Sequence, residues 1–392
     1  MHGLRVSTLG MAMNSRFALI FGGLAAVVIV GVVAGFAWLH FHKAPADGDL
    51  VYGDAPILRL NPDQHGGTIF RAGITADGSL MVTAGSDDVI KIWRVRDMEV
   101  VNTLRVPISN DAAEDPAAAG LRAVDISPDG RFIAAAGQAR SDDTYRLLLL
   151  DAATGEIVQD LLNAKGIITD VAFSPDGQSL AAGLYACDGQ EGECADESNG
   201  LWIWRSDNWR QPSYRDTNYG GRINGIAFNG AGDLFTTSYD GQLRRYGADQ
   251  LTLQDFLPSP VPARPVAEQY DPDILPYDLD VSPDGAQVLV GFVNDQDQDA
   301  PAALTLYRAS DLAPIQDLYI GDLVGDDGDR VTATVVNGVG FSNSGAYVYA
   351  SIAQHQSGVS DKKIRRWALA EPRSHIDYDI CTSQTIIQVL PY

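Results

Sequence analysis

The chain has 392 residues, 45% of them hydrophobic and 20% charged, a globular composition that is neither disordered nor fibrous. Acidic residues outnumber basic ones 51 to 28, giving a formal net charge of −23, which argues against a nucleic-acid surface built on clustered Lys and Arg. Three cysteines exclude a disulfide-built scaffold and a multi-cysteine zinc cluster.

Residues 1–16 form a short N-terminal tail. Phe17 to Leu39 then runs for 23 residues without a charge. A helix of that length spans a hydrocarbon core of about 30 Å. The run is longer than a signal-peptide core, and Trp38-Leu39-His40 is a poor cleavage context. The segment is therefore read as an uncleaved anchor, with Trp38 at an interface position. Arg5 and Arg16 precede it and Lys43 follows it, which places the N-terminus in the cytoplasm and the rest of the chain on the extracytoplasmic side of the inner membrane. Residues 40–50 are a polar linker containing Pro45.

From residue 51 to 392 the chain repeats itself. Six segments share one order of parts: an apolar strand, a Pro-Asp-Gly-like turn, a strand of small and apolar residues, a third strand ending in an aromatic or Leu, and a fourth beyond it. The turns end at Gly78, Gly130, Gly177, Gly232, Gly285 and Gly345, at intervals of 47 to 60 residues. The third strands end at Trp93, Leu150, Trp204, Tyr246, Tyr307 and Trp367. A four-stranded unit with two apolar faces cannot bury them alone, and stacking units around an axis buries both. The expected fold is all-β: a β-propeller of six full four-stranded blades. Two leftover strands, Pro56–Leu60 and Thr385–Leu390, read as parts of a seventh blade that the chain leaves unfinished.

The first repeat resembles those of WD-repeat propellers. His65 with Gly66 looks like the Gly-His start, and Thr83, Asp87 and Trp93 stand at the family's spacing. The resemblance implies a buried hydrogen-bond relay through those four side chains, which suits an indole N–H and an imidazole that need partners. Blade four keeps Thr236, Asp240 and Tyr246 but has no His, blade six keeps Asp361 and Trp367, and the other blades have lost most of the set. The run of blades is also similar to the WD-repeat portion of larger bacterial multidomain proteins, some of which carry a caspase-like peptidase domain. That domain has no counterpart in this sequence.

No residue pattern supports catalysis. A Gly-x-Ser-x-Gly elbow, a phosphate-binding Gly-x4-Gly-Lys-Ser/Thr loop and a His-Glu-x-x-His pair are all missing. No cofactor and no metal ligand set is expected. Asp151 to Gly155 has the Asp-x-x-Thr-Gly form of quinoprotein propellers but reads as an ordinary turn. Cys187 and Cys194 flank an acidic loop, for which a solvated insertion, a disulfide and a metal site all remain open. Asp295, Asp297 and Asp299 mimic part of a calcium loop, but Ala300 and Leu306 stand where its Gly and Glu belong, so a solvated loop is expected.

The sequence reading is a membrane-anchored, non-catalytic scaffold for a protein or peptide partner. Two alternatives are a fragment of a longer protein whose effector domain lies elsewhere, and a propeller with an enzymatic or cofactor site in its central channel. The last requires inward-facing acids, His or Arg at equivalent points of several blades, and no such repeat is evident in the sequence. The anchor predicts that full-length protein stays in the pellet when membranes are washed with carbonate, whereas release into the supernatant would contradict it.

Overall fold

The computed structural model describes residues 65–67, 69–106, 108, 120–139, 144–185, 200–248, 252–258, 274–294, 304–318, 320, 322–324, 330–332, 335–353 and 363–379. Among these, no helix is long and apolar enough to cross a membrane. The expected anchor at Phe17–Leu39 and the two strands assigned to a seventh blade lie outside the described residues.

Six antiparallel four-stranded units account for 24 of the strands. Blade one comprises Ile69–Ile74, Leu80–Gly85, Val89–Arg94 and Glu99–Arg105. Blade two comprises Leu121–Ile126, Phe132–Ala139, Thr144–Asp151 and Ile157–Lys165. Blade three comprises Ile167–Phe173, Ser179–Tyr185, Gly200–Arg205 and the short Tyr214–Asp216. Blade four runs from Ile223–Phe228 to Thr252–Pro258, blade five from Ile274–Val281 to Pro314–Asp317, and blade six from Val335–Phe341 to His375–Asp379. A small hairpin, Asp322–Val324 with Arg330–Thr332, stands between the last two blades, an element the repeat pattern did not reveal. From blade one through to blade six, the first strand of each blade contacts the first strand of the next, so these strands line a common axis.

The turn after each inner strand is the local engine of the repeat. In blades one, two, three and five a Ser or Thr hydroxyl donates to the Asp two residues on, at 2.6–2.7 Å, and that carboxylate accepts the backbone N–H two residues further. In blade four the Asn229 side-chain oxygen does the same work, accepting the N–H groups of Ala231 and Asp233. The closing glycine takes positive φ every time, between 66° and 91°, a region that β-carbons disfavour.

The core is divided among the seams between blades. The Leu147–Leu150 run of blade two shows why: Leu148 and Leu150 pack toward blade one with Val124 and Ile92, while Leu147 and Leu149 pack toward blade three with Phe173 and Trp202. Period-two alternation within a fully apolar run thus serves two cores. Each fully buried Leu contributes about 1.5–3 kcal/mol. Three further clusters fill the seams three–four, four–five and five–six.

The seams also hold acids. Counted back from the turn residue Ser127, Ser174 or Ser282, Asp125 and Asp280 stand two residues before it, and Asp170 and Asp278 four residues before it. Each carboxylate accepts a backbone N–H from the inner strand of the next blade: Asp125 from Phe173, Asp170 from Ile226, Asp278 from Val339 and Asp280 from Phe341, at 2.8–2.9 Å. Acids therefore do recur at equivalent points of different blades, contrary to the sequence reading, which overlooked them because small residues fill the same positions elsewhere. One of those small residues makes room for a carboxylate, since a β-carbon on Gly73 would come within 2.3 Å of Asp125 Oδ1.

Burial pushes Asp125 up to about 7, Asp278 to about 7 and Asp280 to about 6. Unfolded, such groups ionise near about 4. The folded state thus binds extra protons between about pH 4 and pH 7, and the stability these groups confer is complete at the acid end and lost as pH rises through their folded values. The turn carboxylates act oppositely at lower pH, because hydrogen bonds hold Asp77 down to about 2 and lower Asp129 and Asp284, so their contribution is lost as pH falls below about 4. His375, lowered by burial and by Arg365, opposes the trend in the neutral range, but it is one partly exposed group against three buried ones. The protein is expected to melt at a higher temperature near about pH 5 than near about pH 8, with Asp125→Asn flattening the slope. Thermal melts that stay level or rise across that range would refute the assignment.

Candidate interaction face at the channel mouth

Each inner strand carries a β-bulge at the same point, five residues before its turn residue. The extra residues are Phe70, Arg122, Thr169, Asn224, Tyr277 and Asn337. Bulges re-aim side chains at the rims of sheets. Because the inner strands line the axis, these six positions ring one mouth of the channel. All but Asn224 are half-exposed.

The mouth is built of cations over rings. Arg122 lies 4.6 Å from the ring centre of Phe70, joining the bulges of blades two and one. Arg222 lies 4.6 Å over Tyr239, whose ring is 6.2 Å from that of Tyr277. Such contacts contribute about 0.5–1 kcal/mol at exposed sites. Arg222 also donates to the Asn224 side-chain oxygen at 2.8 Å, and Asn224 donates to the Pro276 carbonyl at 3.3 Å. Below this layer Arg71 is buried, with Nε donating to Asp170 at 3.1 Å and Nη2 donating to the Asn224 carbonyl at 2.8 Å.

Blade one brings together all four residues singled out from the sequence. Trp93 Nε1 donates to Thr83 Oγ1 at 2.7 Å, Thr83 Oγ1 lies 2.7 Å from His65 Nε2, and His65 Nδ1 lies 2.9 Å from Asp87. With the indole already donating to Thr83, the hydroxyl proton points at Nε2, and Nδ1–H is donated to the carboxylate. Gly66 N–H completes the Asp87 set at 2.8 Å. Burial works against the Asp87 carboxylate, but His65 and this N–H outweigh it and hold its pKa below the ordinary value. Thr83, His65 and Asp87 have the connectivity of a nucleophile, a base and an orienting acid. Yet Thr83 is 5% exposed and its oxygen is taken by the indole, so no substrate carbonyl can approach it.

Comparisons with known proteins agree with this geometry. The family model described as WD domain, G-beta repeat matches residues 58–94 and 155–190. The first match contains the whole relay, and the second begins in the turn before the outer strand of blade two and ends beyond the second strand of blade three. Protein hir1 of Schizosaccharomyces pombe is 28% identical over 178 residues, which is 44% of this chain and 18% of that protein. The chain thus spans less than a fifth of the length of the curated relative it matches. Among solved structures, the Cps50 (Swd1) β-propeller domain of Myceliophteria thermophila superposes with a TM-score of 0.54 at 15% identity, over 84% of this chain and 91% of the other, a likeness of fold. The chain folds as a β-propeller and carries WD repeats in these two segments.

Within this propeller the relay is rebuilt in blade four without histidine. Tyr219-Gly220-Gly221 stands where blade one has His65-Gly66-Gly67. The Tyr219 hydroxyl lies 2.8 Å from Thr236 Oγ1 and 2.7 Å from the Tyr246 hydroxyl, which donates to Asp216 at 2.8 Å. A phenol has a single polar atom and none left for Asp240, and Arg244 takes that role at 2.6 Å while lying 3.9 Å over the Tyr219 ring. The second glycine is needed in both blades, since a β-carbon at Gly67 or Gly221 would meet the turn backbone at 3.1 Å and 2.7 Å. The aligned Gly-Gly pair was the signal for Tyr219 that the sequence reading missed. In blade three, Ala182 occupies the register point of Thr83, and the buried Trp204 Nε1 has no hydrogen-bond partner among the described residues.

The other expectations resolve unevenly. Asp151 accepts the N–H groups of Ala153 and Thr154 and the Thr154 hydroxyl, which makes the segment a hydrogen-bonded turn. Trp367 of blade six is fully buried, while its partner Asp361 lies outside the described residues, as do Cys187, Cys194 and the acidic loop at 295–299. Among the described residues, no three His, Cys, Asp or Glu side chains are grouped to hold a metal. Trp93→Ala is expected to cost about 3–5 kcal/mol as a large buried aromatic. Tyr219→Phe, which removes only the bridging hydroxyl, should cost about 1–3 kcal/mol. Denaturant midpoints read both, and an unchanged midpoint for either would remove that residue from its relay.

Proposed function

We propose that this chain is a membrane-anchored, non-catalytic scaffold whose propeller, on the extracytoplasmic side, binds a protein or peptide partner at the channel mouth. The observation that carries the reading is the ring of six bulge positions, equivalent in backbone and different in side chain. A repeated frame that presents Phe, Arg, Thr, Asn, Tyr and Asn is a surface with an individual pattern, and arginine and aromatic residues are those enriched in the energetic centres of interfaces. Loops and bulges on a rigid scaffold are where recognition residues concentrate.

The interior supports a non-catalytic role. The inner-strand carboxylates are occupied as acceptors for the next blade, and Arg71 is occupied by Asp170 and by backbone carbonyls, so these groups are committed to holding blades together. The net charge of −23 favours a protein partner over nucleic acid. Anchoring rests on the charge-free Phe17–Leu39 run and the side on the Arg5 and Arg16 excess.

A photo-crosslinking side chain placed at Tyr277 in the membrane-bound protein should capture a discrete partner, while the same group at Val158, an exposed position on the outer strand of blade two, should not. Equal capture at both positions, or capture at Val158 alone, would overturn the assignment of the mouth.

A further inference from the structure

Blade one contributes a cation to the channel where the equivalent positions of the other blades carry Ala123, Asp170, Gly225, Asp278 and Gly338. That cation, Arg71, reaches far along the chain. Its Nε donates to Asp170 of blade three, 99 residues away, and its Nη2 to the Asn224 carbonyl of blade four, 153 residues away, while Nη1 donates to the Phe70 carbonyl at 3.2 Å. The Arg71 and Asp170 side chains are 9% and 10% exposed. Both Asp170 and Asp278 act electrostatically on Arg71, and both staple their own blade to the next one through Ile226 and Val339.

We propose that Arg71 is a cross-channel strut, tying blade one to blades three and four and supplying the shared counter-charge for the carboxyls that staple blade three to four and blade five to six. The surroundings leave that task to Arg71. Blade two presents Asp125 to Asp170, blade five presents Tyr277 and Asp280 beside Asp278, and blades four and six present backbone groups, the Asn224 carbonyl with the Ile226 N–H and the Val339 N–H. Among the described residues, the other titratable groups that act on the pair are these acids and a phenol. Arg122 and Arg222 are held by Phe70, Tyr239 and Asn224 in the layer above, so without the guanidinium Asp170 would lose its hydrogen-bonded cation, and an uncompensated buried charge is far costlier than a lost contact. Burial then raises both carboxyls further, and protonation relieves them, so the loss must depend on pH in a way that a packing defect does not.

The test uses the full-length chain in mild detergent and compares Arg71→Met with the unaltered protein by thermal melting at about pH 5 and about pH 8. The gap in Tm is expected to widen at least about twofold at the higher pH, and the Ile226 and Val339 amides should lose hydrogen-exchange protection there. Adding Asp170→Asn and Asp278→Asn to Arg71→Met should narrow the gap at the higher pH, because neutral amides need no counter-charge. A gap equal at both pH values, or a triple variant no better than Arg71→Met, would show that Arg71 is mere filling and overturn the proposal. Should Arg71→Met not fold, the Asp170→Asn/Asp278→Asn variant with Arg71 retained reads the same coupling: it should flatten the fall of Tm with pH, and an unchanged slope would overturn the proposal.

Discussion

A four-stranded antiparallel blade has two apolar faces and can bury neither by itself, and the rest of the structure follows from this. It explains why strands such as Leu147–Leu150 are apolar at every position, and why the core is split into clusters that belong to pairs of blades. It also explains why a seam must be specified. Apolar faces slide over one another at little cost, whereas a carboxylate that must meet one backbone N–H of the neighbouring strand fixes the stagger.

Those carboxylates change what the channel is. Acids on inner strands are the usual starting material for an active site, and a buried Arg among them strengthens that impression. Here each acid faces the adjoining blade and accepts from its backbone, and the guanidinium ties blade one to blades three and four. Their raised pKa values come chiefly from burial in the seams. Perturbed titration in this channel is a mark of architecture.

The relays show how one structural task tolerates different chemistry. In blade one an imidazole donates at one nitrogen and accepts at the other, so a single ring links Thr83 to Asp87. A phenol has one polar atom for both tasks and cannot reach Asp240 as well, and blade four divides the work between Tyr219, for Thr236 and Tyr246, and Arg244, for Asp240. Blade three gives Trp204 no acceptor among the described residues and is held instead by seam packing on both faces.

What the sequence determined by itself is whatever is local or periodic. The six turns, the strand order within each blade and the His65, Thr83, Asp87, Trp93 relay all depend on spacings of two to twenty-odd residues that recur, and recurrence makes them visible. The tertiary structure decided what depends on a neighbouring blade. Asp125 meets Phe173 48 residues on, Asp278 meets Val339 61 residues on, and Arg71 meets Asn224 at 153. No local pattern encodes such distances, because the acceptors are backbone amides that every residue but proline possesses. Those partners are chosen by the stagger of two stacked sheets, and that stagger exists only once the blades are packed around their axis.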